Sequence, residues 1–183
     1  MLRIITGCMF SGKTTKLLEL IERYRRQDMS CIVVKYADDT RYSQKQLSTH
    51  EKQIGGHLTV DALSATHLID IVPELEKHQV VALDEAQFYE DLVEVVLRLL
   101  KADKIVVVAA LDSTWAQQPF RGETIQRLIP YAEKISKLTA ICSTCKAANA
   151  VASIRITDST EEKVIGGPDK YQASCLRCLF DKT

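Results

Sequence analysis

The segment from Gly7 to Thr14 constrains the fold of this chain more than any other feature. It fits the pattern G-x-x-x-x-G-K-[ST], follows the apolar run 2–6 and precedes residues 13–26, where apolar side chains recur at helical spacing. A glycine-bounded loop in this context lets backbone N–H groups surround phosphate oxygens at a helix N-terminus. The phosphate-binding residues predicted from the pattern are Gly7, Cys8, Met9, Phe10, Ser11, Gly12, Lys13 and Thr14.

Two of these residues have a further predicted role. The ammonium group of Lys13 would neutralise charge on the β- and γ-phosphates of a nucleoside triphosphate, and the hydroxyl of Thr14 would ligate Mg²⁺. Both roles need the loop to be followed directly by a helix, which the spacing of Leu17, Leu18 and Ile21 indicates.

Further apolar runs extend the strand and helix pattern along the chain. Strands are expected at 31–34, 80–83 and 105–111, a helix at 91–102, and a closing strand at 137–141. Continuous apolar strands are typical of a parallel sheet covered by helices on both faces. We therefore predict an α/β fold of the phosphate-loop type over residues 1–140, and a small metal-binding domain over 141–183.

Two carboxylates follow the expected strand at 80–83. Asp84 and Glu85 should therefore lie at the carboxyl edge of the sheet, beside the phosphate loop. Asp84 is a candidate Mg²⁺ ligand through water, whereas Glu85 would position a water for hydrolysis or accept the proton of an alcohol. The motif by itself does not decide between an ATPase and a kinase.

The cysteines point to a metal. Four of the six fall in two Cys-x-x-Cys pairs, Cys142 with Cys145 and Cys175 with Cys178. Four thiolates close a tetrahedral structural zinc site without an open position, and two separate redox dithiols in one small lobe are the weaker interpretation. The remaining Cys8 and Cys31 are interpreted as packing residues.

Composition narrows the class of partner. The 24 basic and 24 acidic side chains cancel, so no global field favours nucleic acid or an anionic membrane. No apolar run approaches the roughly 20 residues that cross a bilayer, and Met1 leads into a strand-like segment without a signal-peptide pattern. We expect a small-molecule partner, no nucleic acid, no membrane and a cytoplasmic location.

Several segments together resemble the type II thymidine kinases over nearly the whole length of the chain. They are the phosphate loop, residues 35–42, residues 84–88, residues 110–112, Pro119 with Phe120, and residues 165–171 between the cysteine pairs. The resemblance implies transfer of the γ-phosphoryl group of Mg-ATP to the 5′-hydroxyl of thymidine. It also implies a homotetramer, feedback inhibition by dTTP, structural Zn²⁺, and Mg²⁺ bound with ATP.

The same resemblance assigns site residues. Glu85 is similar to the family's general base, and Asp84 to the carboxylate near Mg²⁺. The ATP site gains Asp39, Thr40 and Arg41 from a flap that approaches the phosphates, and Ala86 and Gln87 beside the carboxylates. The segment between the cysteine pairs resembles a loop that closes over the nucleoside. The resemblance implies that the thymine edge is hydrogen-bonded by the backbone of Glu162, Lys163, Val164, Ile165 and Gly166. It also implies that Tyr171 contacts the nucleoside and that the ring lies in an apolar slot formed by Met9, Phe88, Leu111, Trp115 and Phe120.

Some positions depart from the family pattern. Cys8 stands where proline is usual, Ala86 and Ser113 replace glycines, and Trp115 replaces a phenylalanine. The phosphate chemistry is unaffected by these changes, whereas the bulk of Trp115 bears on stacking of the base and on tolerance for 5-substituted uracils.

Three alternatives remain beside this reading. The first is a phosphate-loop ATPase whose zinc lobe binds nucleic acid, but between Cys142 and Cys178 five basic residues face four acidic ones, so the expected basic stripe is missing. The second is a non-catalytic nucleotide sensor, which would not need Glu85. The third is a kinase of the same family that acts mainly on deoxyuridine or another nucleoside.

Overall fold

The computed structural model describes residues 1–38, 46–48 and 59–181 of the chain. Its strands are β1 (Leu2–Gly7), β2 (Cys31–Tyr36), β3 (Gln46–Ser48), β4 (Thr59–Asp61), β5 (Leu63–Ala65), β6 (Val80–Leu83), β7 (Ile105–Ala110), β8 (Lys134–Leu138), β9 (Ala140–Ile141), β10 (Asn149–Ala150), β11 (Ala152–Arg155) and β12 (Tyr171–Ser174). Its α-helices are α1 (Lys13–Arg25), α2 (Val72–Leu75), α3 (Leu92–Lys101), α4 (Thr124–Leu128) and α5 (Leu176–Phe180). Short 3₁₀ turns cover Ile69–Ile71, Ala86–Phe88 and Ile129–Tyr131.

A parallel sheet forms the centre of the fold. Within the described ranges it contains six strands in the order β5-β2-β6-β7-β1-β8, and every neighbouring pair is parallel. All four residues of β6 are buried, as expected for a strand covered on both faces. The predicted α/β class with a parallel sheet and flanking helices is confirmed.

Alternate residues of each strand pack into two cores, one on each face of the sheet. In β1, Ile4 joins the core beneath α3, whereas Ile5 joins the core beneath α1 with Leu18 and Ile21. This period of two follows from the strand pleat, and burying each such side chain contributes about 1.5–3 kcal/mol. The two cores fix the sheet as a rigid support for the loops at its carboxyl edge.

The last strand of the sheet is not where the sequence predicted it. Residues 137–141 were expected to close the sheet, but the bounds of that prediction are wrong. The closing strand β8 spans Lys134–Leu138, and Ala140–Ile141 pairs with β10 instead. β8 is an edge strand with exposed lysines, so its apolar pattern is interrupted. The short β5, whose Leu63 is 37% exposed, gives no apolar run either and was missed.

The cysteine-bearing end consists of two antiparallel strand pairs and α5. β9 pairs with β10, and β11 pairs with β12. A buried cluster here contains Cys142, Cys175 and Cys178 and extends to Cys8 of the phosphate loop. The division of the chain at residue 140 stays a prediction. Of the helices described, none has the length and apolar character required to cross a membrane.

Candidate active site

The loop between β1 and α1 has a backbone that favours glycine at two positions. Gly7 has φ +143°, and a Cβ placed on it would collide with the carbonyl oxygen of Leu138 in β8. Gly12 has φ +80° and stands directly before the first residue of α1. The two glycines therefore turn the chain so that the N-terminus of α1 faces the loop, as an anion site requires.

Side chains of the loop hold its own backbone in place. The Ser11 hydroxyl and the Lys13 ammonium both donate to the carbonyl of Cys8, each at 2.8 Å. Burial lowers the pKa of Lys13, and the charges of Glu85, Cys8 and Asp84 counteract that shift. The loop therefore presents a partly desolvated cation that is surrounded by groups favouring its charged form.

The loop is also anchored to the cysteine-bearing end. The backbone N–H of Met9 donates to the Ser153 hydroxyl at 2.9 Å, and the Cys8 thiol donates to the Ala150 carbonyl at 3.4 Å. Burial raises the pKa of the Cys8 thiol, in agreement with a packing role.

Asp84 lies at the carboxyl end of β6, where its carboxylate meets α1. It accepts a hydrogen bond from the Thr14 hydroxyl at 3.0 Å and is only 3% exposed. Burial, followed by the neighbouring charge of Glu85, raises the pKa of Asp84 to about 7. The hydroxyl and the carboxylate are hard oxygen donors at one point, a set that fits Mg²⁺.

Glu85 is held in an unusual conformation. Its φ of +50° lies in the left-handed region, which costs a non-glycine residue about 1–3 kcal/mol and is concentrated at functional sites. The Gln87 amide donates to its carboxylate at 2.7 Å, and the Gln87 carbonyl oxygen accepts the N–H of Leu111 at 3.0 Å. Gln87 is thus a clamp that orients Glu85 against β7.

A cavity of about 570 Å³ lies between the phosphate loop, the sheet edge and the loop formed by residues 156–170. Glu85 lines it together with the side chains of Lys13 and Thr14. Several other sequence-predicted site residues also line it; these are Met9, Phe10, Ser11, Gly12, Phe88, Leu111, Trp115, Phe120, Glu162, Val164, Ile165, Gly166 and Tyr171. The volume suits a ligand of the size of a nucleoside with part of its phosphate chain.

Aromatic rings form one wall of this cavity. Phe88 meets Phe120 edge to face at a centroid distance of 5.8 Å, and its ring also contacts Tyr36 at 5.4 Å. Such tilted pairs are rigid and leave an apolar surface on which a planar ring can lie.

The 156–170 loop forms the opposite wall. Tyr171 donates its hydroxyl hydrogen to the Val164 carbonyl at 2.7 Å, and Lys170 donates to the Ile165 carbonyl at 2.9 Å. A Cβ on Gly166 would collide with the Lys170 side chain, so glycine allows the close approach. These contacts position the backbone of residues 164–166 against the cavity.

Some predicted site residues lie elsewhere. Lys163 does not line the cavity: its ammonium donates to the Tyr36 hydroxyl at 2.6 Å, pairs with Asp38 at 3.4 Å, and lies 4.0 Å from the centroid of the Tyr36 ring. Cys8, Ala86 and Gln87 are buried behind the site. Asp39, Thr40 and Arg41 lie outside the described residues.

The four paired cysteines come together as the sequence predicted. The sulfur atoms of Cys142, Cys145, Cys175 and Cys178 lie within 4.8 Å of one another. Tetrahedral zinc at about 2.3 Å from each thiolate would separate the sulfurs by about 3.8 Å, so the cluster fits such an ion. Backbone N–H groups of Cys175 and Cys145 lower the pKa of Cys142 to about 5, which favours the thiolate form of that ligand.

The neighbouring sulfur atoms oppose ionisation of the Cys178 thiol. The hydrogen bond between Cys178 and the Cys175 sulfur, together with burial, raises the pKa of Cys178 to about 12. Four thiolates therefore need a cation among them, and the cluster could hold a metal ion.

Sequence reasoning missed several residues in and around the cavity, and two of them make contacts that hold the site together. Ser153 lines the cavity and anchors Met9, and Arg155 is buried beside Tyr171. Their strand β11 is only four residues long and carries no motif, so no local pattern identified them. An arginine in a short apolar stretch was the one available signal.

Three features define a phosphate-loop nucleotide-binding protein: a parallel sheet with a glycine-bounded phosphate loop after β1, the carboxylate of Asp84 at the end of β6, and a cavity at the carboxyl edge of the sheet. The comparisons with known proteins narrow this class. The family model described as thymidine kinase matches residues 1–179.

Curated relatives agree with that match. The chain is 40% identical over 180 residues to the thymidine kinase of Vaccinia virus strain Western Reserve, covering 98% of this chain and 97% of the relative. It is 40% identical over 181 residues to the cytosolic thymidine kinase of Bos taurus, covering 99% and 72%, and 39% identical over 180 residues to the thymidine kinase of Monkeypox virus, covering 98% and 97%. The chain belongs to the thymidine kinase family.

Proposed function

We propose that this protein transfers the γ-phosphoryl group of Mg-ATP to the 5′-hydroxyl of thymidine and yields thymidine 5′-monophosphate. One observation carries the proposal: Glu85 faces the same cavity as Lys13 of the phosphate loop and the backbone of residues 164–166. A carboxylate between a phosphate site and a pocket for a planar ring is suited to an alcohol acceptor.

The phosphate loop would bind and orient the triphosphate. Its backbone N–H groups, including those at the N-terminus of α1, would donate hydrogen bonds to the phosphate oxygens, and Lys13 would neutralise charge on the phosphoryl group during transfer. Thr14 and Asp84 would hold Mg²⁺, which supplies charge neutralisation when bound with ATP. Asp39, Thr40 and Arg41, which lie outside the described residues, are proposed to contribute to the ATP site.

Glu85 would act as the general base. Its carboxylate would accept the proton of the 5′-hydroxyl as the oxygen attacks phosphorus, and the clamp by Gln87 would keep it aimed at that oxygen. The strained backbone at Glu85 supports a functional constraint at this position.

The acceptor would lie between the aromatic wall and the 156–170 loop. Met9, Leu111, Trp115 and Phe120 would enclose the base, and backbone groups of residues 162–166 would hydrogen-bond its edge. Tyr171 would complete the pocket and hold the Val164 carbonyl in place.

The remaining properties of the proposed enzyme concern its assembly and control. Structural Zn²⁺ would be held by Cys142, Cys145, Cys175 and Cys178 and would stabilise the cysteine-bearing end, which has only a small hydrophobic core. We also propose a homotetramer, a cytoplasmic location and inhibition by dTTP, which the resemblance described above implies. The dTTP molecule would occupy the acceptor pocket with its phosphates reaching the phosphate loop. The continuous cavity between these two parts supports such binding.

A panel of acceptors tests the proposal. Product formation with ATP is measured for thymidine, deoxyuridine, deoxycytidine and adenosine, with a reaction lacking acceptor as the control. We expect thymidine to give the highest kcat/KM. Preference for a purine nucleoside, or ATP consumption that ignores the acceptor, would contradict the proposed substrate.

Lys163 provides a second test of the pocket. Replacing it with Met removes a hydrogen bond and a cation–π contact between the 156–170 loop and Tyr36. Because this loop forms one wall of the pocket, the KM for thymidine should rise about two- to tenfold. Steady-state kinetics measure the effect, with the exposed Lys101→Met as the matched control. A KM equal to that of the wild type would show that the contacts of Lys163 with Tyr36 do not support the pocket.

A further inference from the structure

Arg155 ends β11 and is buried beneath the 156–170 loop. Only 8% of this arginine is exposed, which is unusual for a charged residue that pairs with no carboxylate in the part of the chain that the structure describes. Its guanidinium carbon lies 5.1 Å from the centroid of the Trp115 ring and 5.3 Å from that of the Tyr171 ring. The cation is therefore held by two aromatic rings of the cavity.

The same guanidinium donates to several groups of the loop. One terminal nitrogen donates to the carbonyl of Ser159 at 3.0 Å and to that of Glu161. The other donates to the carbonyl of Glu162 at 3.3 Å and to the Tyr171 hydroxyl at 2.7 Å. One side chain thus fixes the segment of residues 159–162 and the tyrosine that binds the Val164 carbonyl.

Trp115, which lines the cavity, reinforces this arrangement. Its indole N–H donates to the Glu161 carbonyl at 3.3 Å, the same oxygen that Arg155 binds. A phenylalanine at this position would keep the ring contact and lose the hydrogen bond.

We propose that Arg155 is a positioning residue of the acceptor pocket, acting through Trp115, Tyr171 and the carbonyls of residues 159–162. Its planar fork sets the distance between the 156–170 loop and the aromatic wall, and hence the width of the slot for the base. This inference deepens the proposed function and rests on it. Arg155 does not line the cavity itself, so its effect reaches the substrate only through its neighbours.

Arginine suits this position better than lysine does. The loop carbonyls and the Tyr171 hydroxyl need N–H donors fixed in one plane, which the guanidinium group provides. The rings of Trp115 and Tyr171 are best contacted by a flat cation. The ammonium group of lysine offers neither feature. Arg155→Lys should therefore recover only part of what Arg155→Met loses.

The test compares Arg155→Met, Arg155→Lys and Trp115→Phe with the wild type, and uses the exposed Arg98→Met as the matched control. We expect Arg155→Met to raise the KM for thymidine about tenfold to a hundredfold and Trp115→Phe about two- to tenfold, with the KM for ATP nearly unchanged. Equal rises in both KM values would indicate a general structural defect and would overturn the positioning role. If Arg155→Met does not fold, an unchanged KM for thymidine in both Arg155→Lys and Trp115→Phe overturns it as well.

A second readout requires no nucleoside. Trp115 is the only tryptophan of the chain, so its emission reports directly on the contact with Arg155. Arg155→Met should shift this emission to longer wavelength and make it more accessible to acrylamide, whereas Arg98→Met should leave it unchanged. If the wild-type protein does not phosphorylate thymidine, the proposed function is contradicted but the inference about Arg155 is not. The tryptophan emission then tests separately whether Arg155 holds the loop. An unchanged spectrum in Arg155→Met would overturn the inference.

Discussion

Replacing Glu85 with Gln is expected to lower kcat about 10²- to 10⁴-fold while ATP still binds, because general base catalysis contributes an effect of that size. The substitution preserves the volume of the side chain and removes its ability to accept a proton. Phe88, Leu111 and the loop around Lys13 are left in place, so the pocket and the phosphate site should remain intact.

The effect is measured as kcat with thymidine, together with the dissociation constant for Mg-ATP. Glu90→Gln is the matched control, since Glu90 is exposed on the same stretch of chain and does not line the cavity. Turnover of Glu85→Gln close to that of the wild type would remove Glu85 from the chemistry. Loss of ATP binding in the same variant would instead assign it to the phosphate site.

If Cys142 is a ligand of the proposed zinc site, replacing it with Ser should abolish zinc binding and lower the stability of the protein. The sulfur of Cys142 is one of four that meet within 4.8 Å, and a structural zinc site contributes directly to folding. We expect bound zinc to fall from one ion per chain to nearly none, and the melting temperature to fall by about 10 °C or more. The ATP affinity should fall too, because Cys8 of the phosphate loop packs in the same buried cluster.

Metal analysis and calorimetry check this result, with Cys31→Ser as the matched control. Cys31 lies in β2 and its thiol donates to the Met29 carbonyl, away from the cluster. Full zinc occupancy in Cys142→Ser, or an unchanged melting temperature after zinc is lost, would contradict a structural metal site.

Local patterns were sufficient for the phosphate loop and the inner strands. The glycine positions around Gly7 and Gly12 predict a turn at a helix N-terminus, and the continuous apolar run of β6 predicts a buried parallel strand with Asp84 at its end. The cysteine spacing likewise predicted the cluster of four sulfurs, because two Cys-x-x-Cys pairs supply the four thiolates that a structural zinc site requires.

Other features depend on contacts that no local pattern encodes. Lys163 was predicted to contribute its backbone to the pocket together with its neighbours, and that assignment stays a prediction. The contact of its long side chain with Tyr36, a partner 127 residues away, was not predicted. Arg155 belongs to a strand of four residues and acquires its role only from rings and carbonyls brought together by the fold. The clamp by Gln87 on Glu85 was likewise hidden, since a glutamine in a turn carries no signal for what it binds.

The fate of the γ-phosphoryl group tests the central claim most directly. Wild-type protein is incubated with γ-labelled ATP and Mg²⁺, with and without thymidine, and the label is followed into thymidine 5′-monophosphate and inorganic phosphate. The account predicts label in thymidine 5′-monophosphate only when thymidine is present, and little free phosphate in either reaction. Release of labelled inorganic phosphate at the same rate without an acceptor would contradict it and identify the protein as an ATPase.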